Sequence, residues 1–452
     1  MVSGIDRRSF LAAGAAIPAV AALPAVAADA RRARTEPSLA PAPPMGWNSW
    51  NSFAVTITEA QARETARIMM RALLPAGYSV FTIDHQWYDP RAKGYEYNAD
   101  IKPVMDGFGR FQPDPVRFPS SSGGKGFAAL AADVHAMGLK FGIHRMRGIP
   151  RAAVEANLPI AGTTVRARDI ADTTSICSWN VDMYGVDMHK PGAQAYYDGV
   201  FAEYASWGVD FVKVDDMSRP YDAHAPEIEA IAAAIRRCGR PMILSLSPGE
   251  TPVIRADHVR RHAEMWRISD DFWDEWALLE AQFTRLENWS PYIGDGRWPD
   301  ADMLPLGRLA MGARDTRFTS DEQRTLMTLW SIARSPLIMG GDLRHLDAAT
   351  LGLLTNPEVI AVNQTSSANR PHLMEDGVRI WSARAPGGDR YIALFNTGAK
   401  PRRILFDLRQ LGLNGAVAVR DLWARQPIGT MTGAVVRDVP SHGTSLLRVR
   451  AA

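Results

Sequence analysis

The segment WGVDFVKVDDMSRP, residues 207–220, sets one lysine inside an apolar run and ends that run on two carboxylates. Val209, Phe211, Val212 and Val214 have the makeup of a buried strand, so Lys213, Asp215 and Asp216 need a chemical reason to be there. Alternate residues of a strand face one side. Lys213 and Asp215 therefore point together, and Asp216 points away, with Arg219 or backbone amides as its expected partner. A lysine charge beside Asp215 keeps that carboxylate ionised, as a nucleophile requires. A second segment, EMWRISDD (264–271), ends the same way, on Arg267, Asp270 and Asp271. Two carboxylates flanking a glycosidic bond can serve as nucleophile and acid/base. The competing reading of Asp215 is a structural ion pair. The 13 tryptophans admit two readings as well, a packed core or indole faces for sugar rings.

Such groups need a frame. From about residue 43, short apolar runs alternate with segments of helical period. Strands are expected at 78–87, 139–145, 209–216, 241–247, 264–271 and 335–342, with helices at 57–74, 126–138, 225–239 and 321–335. Thr319-Ser320 reads as the cap of the last of these helices. Buried, non-alternating strands separated by helices imply a parallel sheet with helices outside. About eight such units over 43–365 predict an α/β fold of the (β/α)8 TIM-barrel type. No G-x-G-x-x-G follows the first strand, which weakens a dinucleotide-binding alternative. In such a barrel the polar residues at the C-terminal strand ends face the site. That rule collects Trp47 and Trp50; Asp84, His85 and Trp87; His144 and Arg145; Lys213, Asp215 and Asp216; Ser245 and Ser247; and Arg267, Asp270 and Asp271. A later loop, RWPDADML, adds Asp300 and Asp302. After Asn363-Gln364 the texture turns to short runs such as GVRIWSARA and DRYIALFNTG, which predicts an antiparallel β domain over 366–452.

The bulk numbers exclude other partners. Lys+Arg is 51 against 49 Asp+Glu, which gives no charge excess for nucleic acid or an anionic surface. Cys177 and Cys238 allow one bridge at most. The N-terminus, DRRSFLAAGAAIPAVAALPAVAADA, reads as a Tat-type signal peptide over 1–27 with Ala25-Val26-Ala27 at the cleavage site, and 28–42 reads as a linker. The alternative is a membrane anchor; no other stretch reaches the ~18 apolar residues a spanning helix needs. An exported, periplasmic or extracellular protein is expected, with no membrane contact after cleavage.

PPMGWNSWNSF, GLKFGIH, WGVDFVKVDD, WRISDD and WPDADML, followed by the run from Asp321 to Gln364, occur in the order of the melibiase-type α-galactosidases, glycoside hydrolase family 27. The resemblance covers roughly 43–365, and the C-terminal domain fits the family's β-sandwich. It implies a retaining exo-glycosidase acting on an oligosaccharide or polysaccharide by double displacement, without metal or organic cofactor. It carries the nucleophile onto Asp215 and the acid/base onto Asp271, with Asp270 its neighbour. It carries sugar-hydroxyl contacts onto Asp84, Lys213, Arg267 and Asp302, and the stacking indole onto Trp50. Period two offers an independent check, since Arg267, Ser269 and Asp271 would share a face.

Three departures bear on the sugar. The family's strand two ends in two aspartates on the O4 and O6 side of galactose, whereas TIDHQW has His85 second. Histidine cannot accept as a carboxylate does. LSLSPGE puts Ser247 where the family has a glutamate that reads the 2-hydroxyl, which leaves room at C2 as in N-acetylgalactosaminidases. Residues 145–205 are longer than the family's loop and carry Trp179, Tyr184, His189 and Lys190. This segment either builds a pocket wall, with Arg145 and Arg147 able to meet an acidic sugar, or is a surface excursion with its own packing. His85, His144 and Ser247 join the expected sugar contacts. The leading glycone is α-D-galactose; N-acetylgalactosamine, β-L-arabinopyranose and α-1,6-glucan remain alternatives, as does a carbohydrate-binding relative without turnover.

Overall fold

Strands buried on both faces form the centre of the molecule in the computed structural model, which describes residues 38–96, 101–375 and 377–452. The leader over 1–27 and most of the linker therefore lie outside the described residues. Eight parallel strands make one ladder: β1 (Met45–Asn48), β2 (Val80–Ile83), β3 (Lys140–Met146), β4 (Phe211–Asp215), β5 (Ile243–Leu246), β6 (Met265–Arg267), β7 (Trp298–Asp300) and β8 (Leu337–Met339). Their order is β7-β6-β5-β4-β3-β2-β1-β8. A parallel bridge between Leu304 and Met339 joins the chain after β7 to β8 and closes the barrel. Parallel strands need both faces covered, and Val80–Ile83 is buried at every position. Close pairing also needs a small residue: a Cβ at Gly46 of β1 would stand 2.2 Å from the Val80 carbonyl.

Each strand is followed by a helix: α1 (Glu59–Ala72), α2 (Ala128–Ala136), α3 (Ala193–Trp207), α4 (Tyr221–Arg237), α5 (Ala256–His262), α6 (Trp276–Trp289), α7 (Ser320–Ile332), and after β8 the pair α8 (Ala348–Leu354) and α9 (Pro357–Thr365). The starts follow local chemistry. Thr58 with Gln61 and Thr319 with Glu322 form capping boxes at α1 and α7. Helix α4 begins four residues before the expected 225 and holds Pro226 inside it, at the cost of one ladder bond. WPD, expected in a loop, is strand β7; its three buried residues are too few to show a period. The end of the predicted linker packs into the molecule: Ala40 is buried beneath the barrel with Val80, Phe211, Ile243, Met265 and Trp298.

The C-terminal strands are β9 (Ser367–Glu375), β10 (Val378–Arg384), β11 (Arg390–Asn396), β12 (Arg402–Asp407), β13 (Ala416–Asp421), β14 (Gln426–Thr432), β15 (Ala434–Val439) and β16 (Thr444–Ala451). They pair antiparallel as a six-stranded sheet, β9-β10-β11-β16-β13-β14, and a two-stranded one, β12-β15. Ile380, Ile392, Leu394, Ile404, Phe406, Val417, Val435 and Leu447 fill the space between them. The domain rests on α6 and α7: His442 stacks on Trp276 at 3.7 Å, and its carbonyl accepts from Thr325.

Candidate active site

A cavity of about 470 Å³ opens at the C-terminal ends of the barrel strands, lined by Trp50, Asp84, Tyr95, Trp179, Lys213, Asp215, Arg219, Pro248, Asp270 and Asp271. Most of these come from strand ends, as the barrel rule requires. Lys213 and Asp215 share a face of β4, and Lys213 Nζ stands 3.8 Å from Asp215 Oδ1 and 3.1 Å from Asp84 Oδ2. Asn48 donates to the same Asp84 oxygen at 2.7 Å. Burial alone would drive the Lys213 ammonium toward neutrality, but Asp215 and Asp84 hold it above the ordinary lysine range. Burial would raise Asp215 too; the Lys213 charge, with His144 beside it, reverses this and holds the carboxyl well below the usual range. A permanently ionised carboxylate facing a cavity has the state a nucleophile needs.

Across the cavity, Arg267 Nη2 lies 3.3 Å from Asp271 Oδ1 and 2.8 Å from Asp302 Oδ2. Arg267 and Asp302 are buried with Ser247 around a smaller space beneath the cavity, which Lys213 also lines. The shared-face argument for Asp271 rests on a strand that stops at Arg267. Residues 268–270 bend instead, Ser269 accepts a hydrogen bond from Gln282, and the bend itself returns Asp271 to Arg267.

Three expectations are corrected. Asp216 is not held by Arg219: its partner is Arg147, at 2.8 Å, while Arg219 pairs with Asp270. Arg145 and Arg147 do not meet sugar; Arg145 lies against the Tyr197 and Phe201 rings, and Arg147 is enclosed by Asp216 and Glu227. His85 and His144 are 1% and 0% exposed and line no part of the cavity, because both rings are turned into the wall behind Asp215. Cys177 and Cys238 are free thiols. The 145–205 insertion does build a wall: a small sheet of Ile149–Pro150, Ala171–Ile176 and Met183–Val186 carries Trp179 to the cavity edge. Tyr95, edge-on to Trp50 at 5.5 Å, was missed; the sequence around it, GYEYNAD, offers no period to find it by. Among the described residues, one group spaced for a metal, Glu229, His258 and His262, lies on α4 and α5 rather than at the cavity.

Arg147 gives a stability prediction. It is 2% exposed on its side chain and holds Asp216 at 2.8 Å and Glu227 at 2.6 Å. Arg147→Met leaves the buried Glu227 and the half-buried Asp216 without this cation, and urea unfolding is expected to show a loss of about 3–5 kcal/mol. A loss below about 1 kcal/mol would mean that water reaches the pair.

The barrel with its strand-end carboxylates defines a glycoside hydrolase. The family model "Alpha galactosidase A" matches residues 42–190 and 185–365, and "Alpha galactosidase C-terminal beta sandwich domain" matches 375–449. The chain belongs to the α-galactosidase family, glycoside hydrolase family 27, and its substrate is a carbohydrate. The α-galactosidase of Oryza sativa subsp. japonica is 29% identical over 420 residues, 91% of this chain and 86% of that one. A family 27 β-L-arabinopyranosidase from Geobacillus stearothermophilus, solved in complex with arabinose, is 47% identical with a TM-score of 0.90, covering 92% of this chain and 98% of that one. The α-galactosidase I of Mortierella vinacea, at 23% identity and a TM-score of 0.71 over 92% of this chain and 98% of that one, shares the fold.

Proposed function

We propose that the protein is a retaining exo-glycosidase for galacto-configured pyranosides and that its preferred glycone is β-L-arabinopyranose. Asp215 attacks the anomeric carbon while Asp271 protonates the departing oxygen. Asp271 then takes a proton from the water that cleaves the glycosyl-enzyme. Trp50 covers the apolar face of the ring, and Asp84 and Lys213 hold hydroxyls. β-L-Arabinopyranose has the ring configuration of α-D-galactopyranose and lacks only the hydroxymethyl group at C5.

The observation that carries the choice is His85. It stands where the family has its second aspartate, and its ring is turned away to His144 and Asn180. The wall beside Asp84 thus lacks the acceptor that the hydroxymethyl oxygen would need. The 47% identity to the arabinopyranosidase supports the same choice. Asp84, Lys213, Arg267 and Trp50 support α-D-galactosides as the second reading, since these groups serve both sugars alike.

A panel of p-nitrophenyl glycosides decides between them. The β-L-arabinopyranoside is expected to exceed the α-D-galactoside in kcat/KM by roughly 10-fold or more, the cost of leaving one enclosed hydroxyl unpaired. A ten-fold preference for the α-D-galactoside instead would sink the arabinopyranoside reading. Turnover of the α-N-acetylgalactosaminide alone would make the space at Ser247 decisive.

A further inference from the structure

Behind the cavity, a buried row of side chains runs from the insertion to Asp215, and its hydrogen bonds have a direction. Asn180 Oδ1 accepts from the backbone N–H of Asp182 at 2.8 Å, which fixes the amide. Its Nδ2 therefore donates, to His85 Nε2 at 2.9 Å and to Asp182 Oδ2 at 3.3 Å. The flipped amide would set its oxygen against the Asp182 carboxylate and its NH2 against a backbone N–H. Asp182 is itself anchored, accepting from Gln86 at 2.8 Å and Tyr88 at 2.6 Å.

The tautomers follow. His85 Nε2 must be the acceptor, so its proton sits on Nδ1. His85 Nδ1 stands 3.2 Å from His144 Nδ1, and two ring nitrogens can share that contact only if one of them accepts. His144 Nδ1 accepts, its proton sits on Nε2, and that atom stands 2.9 Å from Asp215 Oδ2, in ion-pair contact but off the line of a hydrogen bond. Burial pushes the His85 imidazole well below its usual range, in keeping with a neutral ring.

We propose that Asn180, His85 and His144 form a one-way hydrogen-bond relay that keeps the His144 Nε2–H, rather than a lone pair, against Asp215, so that the 145–205 insertion acts as a positioning element for the nucleophile. The inference rests on Asp215 being the nucleophile. Without the relay, both tautomers of each ring become accessible, and half of them turn a lone pair on the carboxylate. None of the three is a catalytic residue, because none lines the cavity.

The test compares His85→Gln with His85→Leu, each checked for fold by thermal melting. Glutamine can keep the direction, its oxygen accepting from Asn180 and its NH2 donating to His144; leucine cannot. His85→Gln is expected to keep kcat/KM within a few-fold. His85→Leu is expected to lose about 10- to 100-fold, the cost of a lone pair set against the ionised carboxylate converted to rate, with the Ki of the free sugar unchanged. Equal losses in the two, or a Ki that moves in step with kcat/KM, overturn the relay.

Should either protein fail to fold, Asn180→Asp decides. A carboxylate at 180 would take the His85 Nε2 proton position and reverse the row unless His85 carries two protons. His85 then faces Asp182, Asp215 and the new carboxylate, which favour its cation, and Lys213, Arg117 and any charge on His144, which oppose it. Activity is expected at low pH and is lost as pH rises through the His85 pKa. A profile parallel to the parent's overturns the relay. Asp215→Gly with added azide reads the premise separately. No azide rescue sinks the nucleophile assignment, whereas rescue together with equal His85 losses sinks the relay alone.

Discussion

Asp215→Asn is expected to lower kcat/KM by roughly 10⁴-fold or more, the scale seen when a covalent nucleophile is removed from a site otherwise intact. The fold should survive. Lys213 keeps Asp84 at 3.1 Å, so the substitution leaves no buried ammonium without a partner. Thermal melting within a few degrees of the parent would show that the loss is chemical. The configuration of rescue is the sharper readout. With Asp215→Gly, azide can reach the anomeric carbon from the side the carboxylate occupied and take its place. The product is then a glycosyl azide of inverted configuration, visible by NMR. A protein that keeps a tenth of its activity without this carboxylate, or that yields no azide adduct, does not use Asp215 to form a glycosyl-enzyme.

Lys213 and Asp215 were legible because a regular strand carries them. Period two holds over Phe211–Asp215, so the shared face read from the letters is the one observed. The same rule gave the right neighbour for Arg267 by the wrong route, since the strand ends there and a bend brings Asp271 back. Strand β7 was read as a loop because three residues, one of them proline, hold no pattern. His85 and His144 exposed the limit of counting strand ends. A strand-end position says which end of the barrel a residue occupies, and says nothing of whether its ring turns to the cavity or into the wall. That turn is decided by Asn180, about a hundred residues away in sequence and inside an insertion whose irregular backbone has no periodic signature. Arg145 and Arg147 failed for a related reason. Charge suggested an anionic ligand, but the aromatic rings of α3 and the Glu227 carboxylate of α4 had already claimed them. The turn to short strands after 365 was legible, with β9 starting at Ser367, because a change of period needs no knowledge of partners.

Asp271→Ala is expected to divide substrates by their leaving groups. An acid is needed only where the departing oxygen cannot carry its own charge, so an alkyl or unactivated glycoside should lose roughly 10³-fold, within the range for general acid–base catalysis. A dinitrophenyl glycoside needs no proton to depart and should still form its glycosyl-enzyme at near the parent rate. The second step then becomes limiting, because the water that cleaves the intermediate has lost its base, and KM should fall as the intermediate accumulates. Azide, which needs no base, should restore turnover with retained configuration, the opposite of the Asp215→Gly product. The two carboxylates thus carry opposite stereochemical signatures in one assay. Asp270 is the internal control. It lines the same cavity, yet it is tied to Arg219 at the exposed rim, whereas Asp271 is the one beside the buried Arg267. Asp270→Asn should cost less than about 10-fold on either substrate. If instead Asp270→Asn shows the leaving-group split and Asp271→Ala does not, the acid/base is the outer carboxylate, and the Arg267 contact orders Asp271 without making it react.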